Sequence, residues 1–460
     1  MRQLVLKASI ALVLALTSCS GDDGDTGNDG PERDTAATEE AGAQGEVEIP
    51  DDPLGSQVQW VLDQLAAGSG PDPETAAERF DDEFLNQVEP DEVGPMFAQL
   101  RAGGPYTPTS FQSDGQVATL ILAGTDDTEW QLHVGIDDDE RINLLYIQEA
   151  ADVPEVDSWE EFDAALTETG AQVSVYAAHH DGDSWEAVHQ NAGDEILPLG
   201  SVFKLYVLGA VQRAVLDGEI SWEDQVTVTD EVRSLPSGEL QEADTGTSVT
   251  VAEAAEKMIS ISDNTATDML IELVGRDAVE EAVAAMGHHD PRLLDPFLTT
   301  RELFWLGWSD PQRREEWQHA DPERRGAILD DVPRGELDVD AAAVTDPVWS
   351  SGIGWFATGA DVAAAYEELQ ELAAEDDTGT VRDLLTINPG VAVNEDDWPY
   401  VAYKGGSAPG VLSLSWYLED DASVAHTLVV QLASDDAALV EQLALIAGIA
   451  EQGIELLADG

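Results

Sequence analysis

Leu199-Gly200-Ser201-Val202-Phe203-Lys204-Leu205-Tyr206 opens an apolar run that continues to about Leu216. The run predicts a buried helix with Ser201 and Lys204 in its first turn. Residues three apart on a helix share one face, one turn apart. A serine hydroxyl is a poor nucleophile until a neighbouring base accepts its proton. A lysine desolvated in an apolar cleft loses proton affinity and can act as that base. A helix start also offers free backbone N–H groups to a negative charge forming at an attacked carbonyl. Ser-x-x-Lys alone is a common pattern, but lysine is scarce here. Only Lys7, Lys204, Lys257 and Lys404 occur in 460 residues. A lysine retained on an apolar helix calls for a role other than solvation.

Two further groups follow in order. Ser262-Asp263-Asn264 comes after the apolar stretch Met258 to Ile261, and Lys404-Gly405-Gly406-Ser407 lies on a predicted strand near the C-terminus. These three groups, in this order and on suitable elements, resemble the active-site motifs S-x-x-K, S-D-N and K-T-G of class A β-lactamases and related penicillin-binding peptidases. The likeness extends over the whole second half of the chain. It implies that Ser201 attacks a carbonyl and is acylated while Lys204 takes its proton. It implies that Ser262 relays a proton to the leaving group, and that Asn264 holds the substrate amide and Lys204. Lys404 would bring positive charge to Ser262 and to a substrate carboxylate. Gly406 and Ser407 complete the substrate strand, and the N–H groups of Ser201 and Ser407 would form the oxyanion hole. Asp263 is expected to shape its loop.

The chain departs from the family pattern in three places. Gly405 stands where a hydroxyl residue is usual, and no cation follows Lys404 on the next strand. The deacylating glutamate has no clean counterpart. Glu302 is the only nearby carboxylate in a helical context, and the Arg301-Glu302 pair reads as a solvated helix start. Ser234-Leu235-Pro236-Ser237-Gly238 fits either the loop at the cleft mouth or a generic turn. His179-His180-Asp181 and His288-His289-Asp290 lack helical metal-ligand spacing and read as polar residues flanking turns. No metal or cofactor is called for.

Outward from these motifs, the fold class reads as α+β. A helix over Ser158 to Glu168 precedes strands over Gln172 to His179 and Trp185 to Gln190. A helical middle follows, then strands near Val401 to Lys404, Val411 to Leu418 and Val424 to Leu432, and a helix from Ala437 to Leu457. Strands from both ends of this region in one sheet, with helices inserted between them, give a two-lobed body with a cleft. Residues 158–460 are therefore the hydrolase-like domain, with an acidic, exposed insertion from Ser309 to about Asp340. Residues 55–152 read as a smaller α+β unit. It should hold helices from Trp60 and from Ala76 to Val88, then strands Val117 to Leu122, Trp130 to Ile136 and Ile142 to Ile147. It is similar to a cystatin or nuclear-transport-factor-like cone and carries no acid, base or metal constellation. The two-domain order resembles the β-lactamase-like protein of clavulanic acid biosynthesis and actinobacterial lipoproteins.

Residues 1–18 read as a lipoprotein signal: Arg2 and Lys7, an apolar Ile10 to Leu16, then Leu16-Thr17-Ser18-Cys19. Cleavage before Cys19 and acylation of its sulfur would leave the chain exported and held to the outer face of the cell membrane by lipid alone. Residues 19–54 are Gly, Asp, Glu and Thr with almost no bulky apolar side chain, and read as a disordered tether. The 94 acidic against 20 basic side chains give a formal charge of -74. Such a surface repels nucleic acid and anionic lipid. It also repels itself, so a halophilic, salt-rich setting is expected; roughly 1 M salt shortens the Debye length to about 3 Å. The expected partner is a small-molecule β-lactam, ester or peptidoglycan-stem substrate. The expected activity is β-lactamase-type hydrolysis through an acyl-enzyme. The alternatives are an esterase, a D-Ala-D-Ala peptidase, or a penicillin-binding lipoprotein that is acylated without turnover.

Overall fold

The computed structural model describes residues 47–458 apart from 48, 51, 82–83, 86–87, 102–103, 115–116, 126–127, 138–139, 183, 336, 377 and 395–396. The signal, Cys19 and nearly all of the tether lie outside the described residues. The chain divides into two compact units at Asp152/Val153.

The first unit has helices α1 (Pro53–Ala66), α2 (Pro73–Arg79) and α3 (Pro90–Leu100). An antiparallel meander follows: β1 (Thr107–Asp114), β2 (Val117–Ala123), β3 (Glu129–Ile136) and β4 (Ile142–Glu149). Each helix starts with proline, whose fixed φ and missing N–H suit the first turn. Alternate residues of β2, Ala118, Leu120 and Leu122, are fully buried with Leu132, Val134, Val58, Val61 and Phe97. The sequence reading placed one helix over Ala76 to Val88. Instead α2 stops at Arg79, because Phe80 turns extended and bridges to Ile142.

The second unit is built on a five-stranded antiparallel sheet. Its strands are β5 (Gln172–His180), β6 (Trp185–Asn191), β7 (Tyr400–Ala408), β8 (Val411–Glu419) and β9 (Ala425–Ala433). Their spatial order is β7-β8-β9-β5-β6, so the two ends of this unit share one sheet and β7 is an edge. Side chains alternate across it. Val175, Ala177, Leu412, Leu414, Trp416, Leu428 and Val430 face one core with α4 (Trp159–Thr167) and the C-terminal helix Leu443–Ala458. Tyr176, Ala178, Tyr417 and Val429 face a second, larger core.

That larger core belongs to the helical lobe. It contains α5 (Lys204–Leu216), α6 (Val251–Ser260), α7 (Asn264–Val274), α8 (Arg276–Ala285) and α9 (Thr300–Trp308). The acidic segment after Ser309 differs from the exposed insertion expected of it. It folds into helices Pro311–His319 and Pro322–Leu329, and Trp317, Ile328 and Leu329 enter the same core. Trp317 is 2% exposed and its indole N–H donates to Gly352 O at 2.9 Å. Charged residues dominate this stretch, but Trp317, Ile328 and Leu329 fall on the inner face, and they decide where it packs.

Candidate active site

Ser201 lies in a 3₁₀ turn, Gly200–Phe203, which runs directly into α5 at Lys204. The turn is pressed against β7. A Cβ on Gly406 would sit 2.3 Å from both Ser201 N and Leu199 O, and one on Gly200 would sit 2.7 Å from Ser407 N. Only glycine fits at either place, and Gly200 also holds φ +50°. This contact brings the backbone nitrogens of Ser201 and Ser407 together.

Lys204 is fully buried. Its ammonium donates to Ser262 O at 2.6 Å, Ser262 Oγ at 2.9 Å and Asn264 Oδ1 at 2.8 Å. All three of its N–H directions are therefore used. The direct Ser201–Lys204 hydrogen bond suggested by a shared helix face is not formed among the described residues, because the Ser262–Asn264 loop occupies those donors. Catalytic hydrogen bonds often close only when substrate arrives. Burial holds the Lys204 amine well below the usual lysine range, and the nearby charge of Lys404 adds to that. Asp263 and Asp268 act in the opposite direction.

Lys404 reaches the same hydroxyl from the other side, donating to Ser262 Oγ at 3.1 Å and to Gly405 O at 2.8 Å. It is 3% exposed, and burial brings its amine down to about 7. One hydroxyl between two buried amines can take a proton from either and pass it on. Ser262 itself has φ +58°, a conformation a non-glycine residue adopts only when its surroundings hold it. Its carbonyl is held by Lys204 and by Ser237 Oγ at 2.8 Å.

The loop Ser234–Gly238 is joined to this group by several bonds. Asn264 N donates to Ser237 O at 3.0 Å, and Asn264 Nδ2 to Leu235 O at 3.0 Å. Asp263 makes no contact with the amines. Its carboxylate accepts from Glu239 N, Leu240 N and Ala266 N at 2.8–2.9 Å, tying the loop to the first turn of α7. These bonds set Ser237 beside Ser262 and Asn264, in the loop whose sequence fits either the cleft mouth or a generic turn.

Arg301 and Glu302 are buried, not solvated, at 4% and 8% exposure. They are not a pair. Glu302 caps α9 through Thr299 N and bonds Arg276 Nη2 at 2.6 Å. The Arg301 guanidinium donates to the carbonyls of Asp230, Arg233, Pro333 and Gly335. Asp268, buried one turn below Asn264 on α7, accepts from Thr300 N at 2.7 Å, Thr300 Oγ1 at 2.9 Å and Arg301 N at 2.9 Å. Burial raises its carboxyl to about 7 against these bonds. Asp268 and Glu302 are both engaged in holding α9.

His288, His289 and Asp361 bring ligand-type atoms within 4.8 Å of one another. Each is already engaged. His288 Nε2 pairs with Phe356 O at 2.9 Å and its Nδ1 with Asp290 N at 3.2 Å. Asp361 caps the helix Gly359–Ala374 and bonds His289 Nδ1 at 2.7 Å. Their chemistry here is that of a helix cap.

The antiparallel sheet with helices on both faces, and a buried Ser-x-x-Lys helix facing Ser-Asp-Asn, is a β-lactamase-like serine hydrolase fold. The chain belongs to the β-lactamase enzyme family, whose model matches residues 157–386, half of the chain. That match includes Ser201, Lys204 and Ser262–Asn264 and ends before β7. Residues 49–142 match a second family, the N-terminal region of the ORF 12 gene product. Comparison with curated proteins gave no match. Among solved structures, a β-lactamase from Sphaerobacter thermophilus is 24% identical, covering 65% of this chain and 98% of its own, with a TM-score of 0.45. The chromosome-encoded β-lactamase of Vibrio parahaemolyticus is 15% identical over 65% and 99%, TM-score 0.46. A PBP-A mutant solved as its acyl-enzyme with penicillin G is 16% identical over 65% and 95%, TM-score 0.41.

Proposed function

We propose that this protein is a serine hydrolase that opens β-lactams by forming an acyl-enzyme on Ser201. The observation that carries the reading is the Ser262 hydroxyl held between two buried amines, Lys204 and Lys404, beside the close approach of the Gly200-Ser201 and Gly406-Ser407 backbones. With its proton affinity lowered by burial, Lys204 accepts the Ser201 proton as Oγ bonds to the carbonyl carbon. The N–H groups of Ser201 and Ser407 stabilise the oxyanion. As the carbon–nitrogen bond breaks, Ser262 delivers a proton to the leaving nitrogen and is reprotonated from the lysines. Water then cleaves the ester and restores Ser201. Losing one oxyanion donor typically costs about a hundredfold or more in rate.

The commitment of Glu302 and Asp268 to α9 favours slow deacylation. We therefore infer a weak β-lactamase, in which the acyl-enzyme accumulates. An esterase, a D-Ala-D-Ala peptidase and a non-catalytic penicillin binder remain the alternatives on this fold. We further infer export, with residues 1–18 removed and Cys19 lipidated, so that residues 19–54 tether the folded units to the outer face of the membrane. The test is incubation with a fluorescent penicillin and a chromogenic cephalosporin, followed by mass spectrometry of the labelled peptide. The expected result is an adduct on Ser201 that decays slowly, with cephalosporin turnover, and no adduct in Ser201→Ala. An adduct on another residue, or an unchanged signal in Ser201→Ala, overturns the reading. A permanent adduct without turnover makes the protein a binder.

A further inference from the structure

Gln431 is fully buried in β9, at a place where an apolar side chain would be the ordinary choice. It shares a face of the sheet with its cross-strand neighbours, Ser413 on β8 and Ser174 on β5, which are buried as well. Ser413 in turn pairs with Gly406, the residue of β7 pressed against Ser201 N. One row of the sheet thus runs from the strand beside the nucleophile to Gln431 and on to Ser174.

Gln431 Nε2 donates to Leu197 O at 3.4 Å and to Ala357 O at 3.2 Å. Both partners are carbonyls, so the amide nitrogen with its two hydrogens is the end that faces them. Leu197 and Ala357 pair with each other in a ribbon of two residues a side, Leu197–Pro198 against Phe356–Ala357. Pro198 has no N–H to give to this ladder. A ribbon so short has little stability of its own, and the Gln431 amide spans both of its strands. Leu199 N adds a bond to Trp355 O at 2.8 Å, and Gly200 and Ser201 come next in the chain. The place of Ser201 N therefore depends on a ribbon held from the sheet by one amide. The other end of that amide, Gln431 Oε1, is buried without a partner among the described residues. Two long bonds made against one stranded oxygen leave little net stability. They point to placement as the reason for a glutamine here.

We propose that Gln431 is a positioning residue for the nucleophile: by clamping the Leu197 and Ala357 carbonyls it sets the turn that carries Ser201 against Gly406 and Ser407. It touches neither substrate nor the reacting atoms. The inference rests on the acyl-enzyme reading and adds a requirement to it, that the rate of acylation depends on a side chain inside the sheet.

The experiment follows labelling of the full chain by a fluorescent penicillin at neutral pH, over time and at several concentrations. It separates the maximal acylation rate from the half-saturating concentration. Gln431→Met keeps the length of the side chain and removes both donors. Gln431→Glu keeps the shape and, protonated in so buried a place, keeps one donor. Ser174→Ala removes a polar group of the same row that makes no bond to the ribbon. The maximal rate should fall roughly tenfold to a hundredfold in Gln431→Met, as for a small misplacement of reacting groups, and by less in Gln431→Glu. The half-saturating concentration should stay within about twofold of the wild type, as should both quantities in Ser174→Ala. Should Gln431→Met fail to fold, Gln431→Glu decides: a reduced maximal rate supports the role and a wild-type rate overturns it. A Gln431→Met rate within about twofold of the wild type, a loss carried by the half-saturating concentration, or an equal loss in Ser174→Ala overturns the role of Gln431 while leaving Ser201 in place. If the wild type forms no adduct on Ser201, the acyl-enzyme reading falls, and this inference with it.

Discussion

Replacing Lys404 by Met tests the two-amine arrangement through stability, without relying on any substrate. Burial brings the Lys404 amine from an ordinary 10.5 to about 7. Between those values the unfolded chain holds a proton that the folded protein has released. The unfolded state then binds more protons, so stability rises with pH across that window and is flat below it. At 1.36 kcal/mol for each pH unit, the full rise is about 5 kcal/mol. Methionine matches the length and does not titrate. It loses the bonds to Ser262 Oγ and Gly405 O, and that loss is a constant offset below the window. Lys204 adds to the effect in the same direction, since the charge of Lys404 is one cause of its own lowered value. The assay is urea unfolding of wild type and Lys404→Met at several pH values from 6 to 10, at one fixed high salt concentration. The wild-type minus variant difference cancels the other titrating groups and should climb steeply above pH 7. A difference that moves by less than about 1 kcal/mol over that range would mean an ordinary, solvated lysine and would refute the argument.

Asp268→Asn should show the opposite sign. The fold favours the neutral acid, so from 3.8 to about 7 the folded protein holds the extra proton and wild-type stability falls as pH rises, by about 4 kcal/mol relative to the variant; a flat difference in urea unfolding between pH 4 and 8 refutes it. Gly406→Ala puts a methyl 2.3 Å from Ser201 N and Leu199 O, both backbone atoms that cannot swing aside. Penicillin labelling should drop by about a hundredfold or more through displacement of an oxyanion donor, with about 1–3 kcal/mol lost to overpacking; labelling at the wild-type rate would rule out this contact. The thermal midpoint should rise between low and molar salt, because -74 formal charges repel one another until screened; an unchanged midpoint removes the expectation of a salt-rich setting.

The parts of this structure that were legible in the sequence are those written in local periodicity. β8 and β9 alternate, or run fully apolar between two cores, and were placed within a residue or two. The serine helix stood out because lysine is so rare here. β1 was not legible: Thr107–Asp114 contains only one large apolar residue, Phe111, and is a strand because β2 pairs with it. α3 was hidden by Pro90, Gly94 and Pro95. The burial of Arg301 depends on the carbonyls of Asp230, Arg233, Pro333 and Gly335, and that of Glu302 on Arg276. No local pattern announces partners so far along the chain. The Tyr403 hydroxyl is a case of the same kind. Its position over Gly405 needs a glycine at 390, which lies outside the strand.

The distribution of charge explains why the site survives in so acidic a protein. A field of carboxylates favours protonated amines, and on the surface it would keep any lysine an ammonium. Lys257, paired with Glu239, is held above its usual range in this way. Lys204 and Lys404 move the other way because burial outweighs the field, and the charge of Lys404 lowers Lys204 further. The carboxylates nearest to them are turned aside: Asp263 binds backbone N–H groups of its own loop, and Asp268 those of α9. Neither forms an ion pair with the lysines. An ion pair would fix the proton on the amine and leave no base for Ser201. Hydrogen-bonding the acids to backbone keeps the lysines within reach of neutrality, which is the condition the proposed chemistry requires.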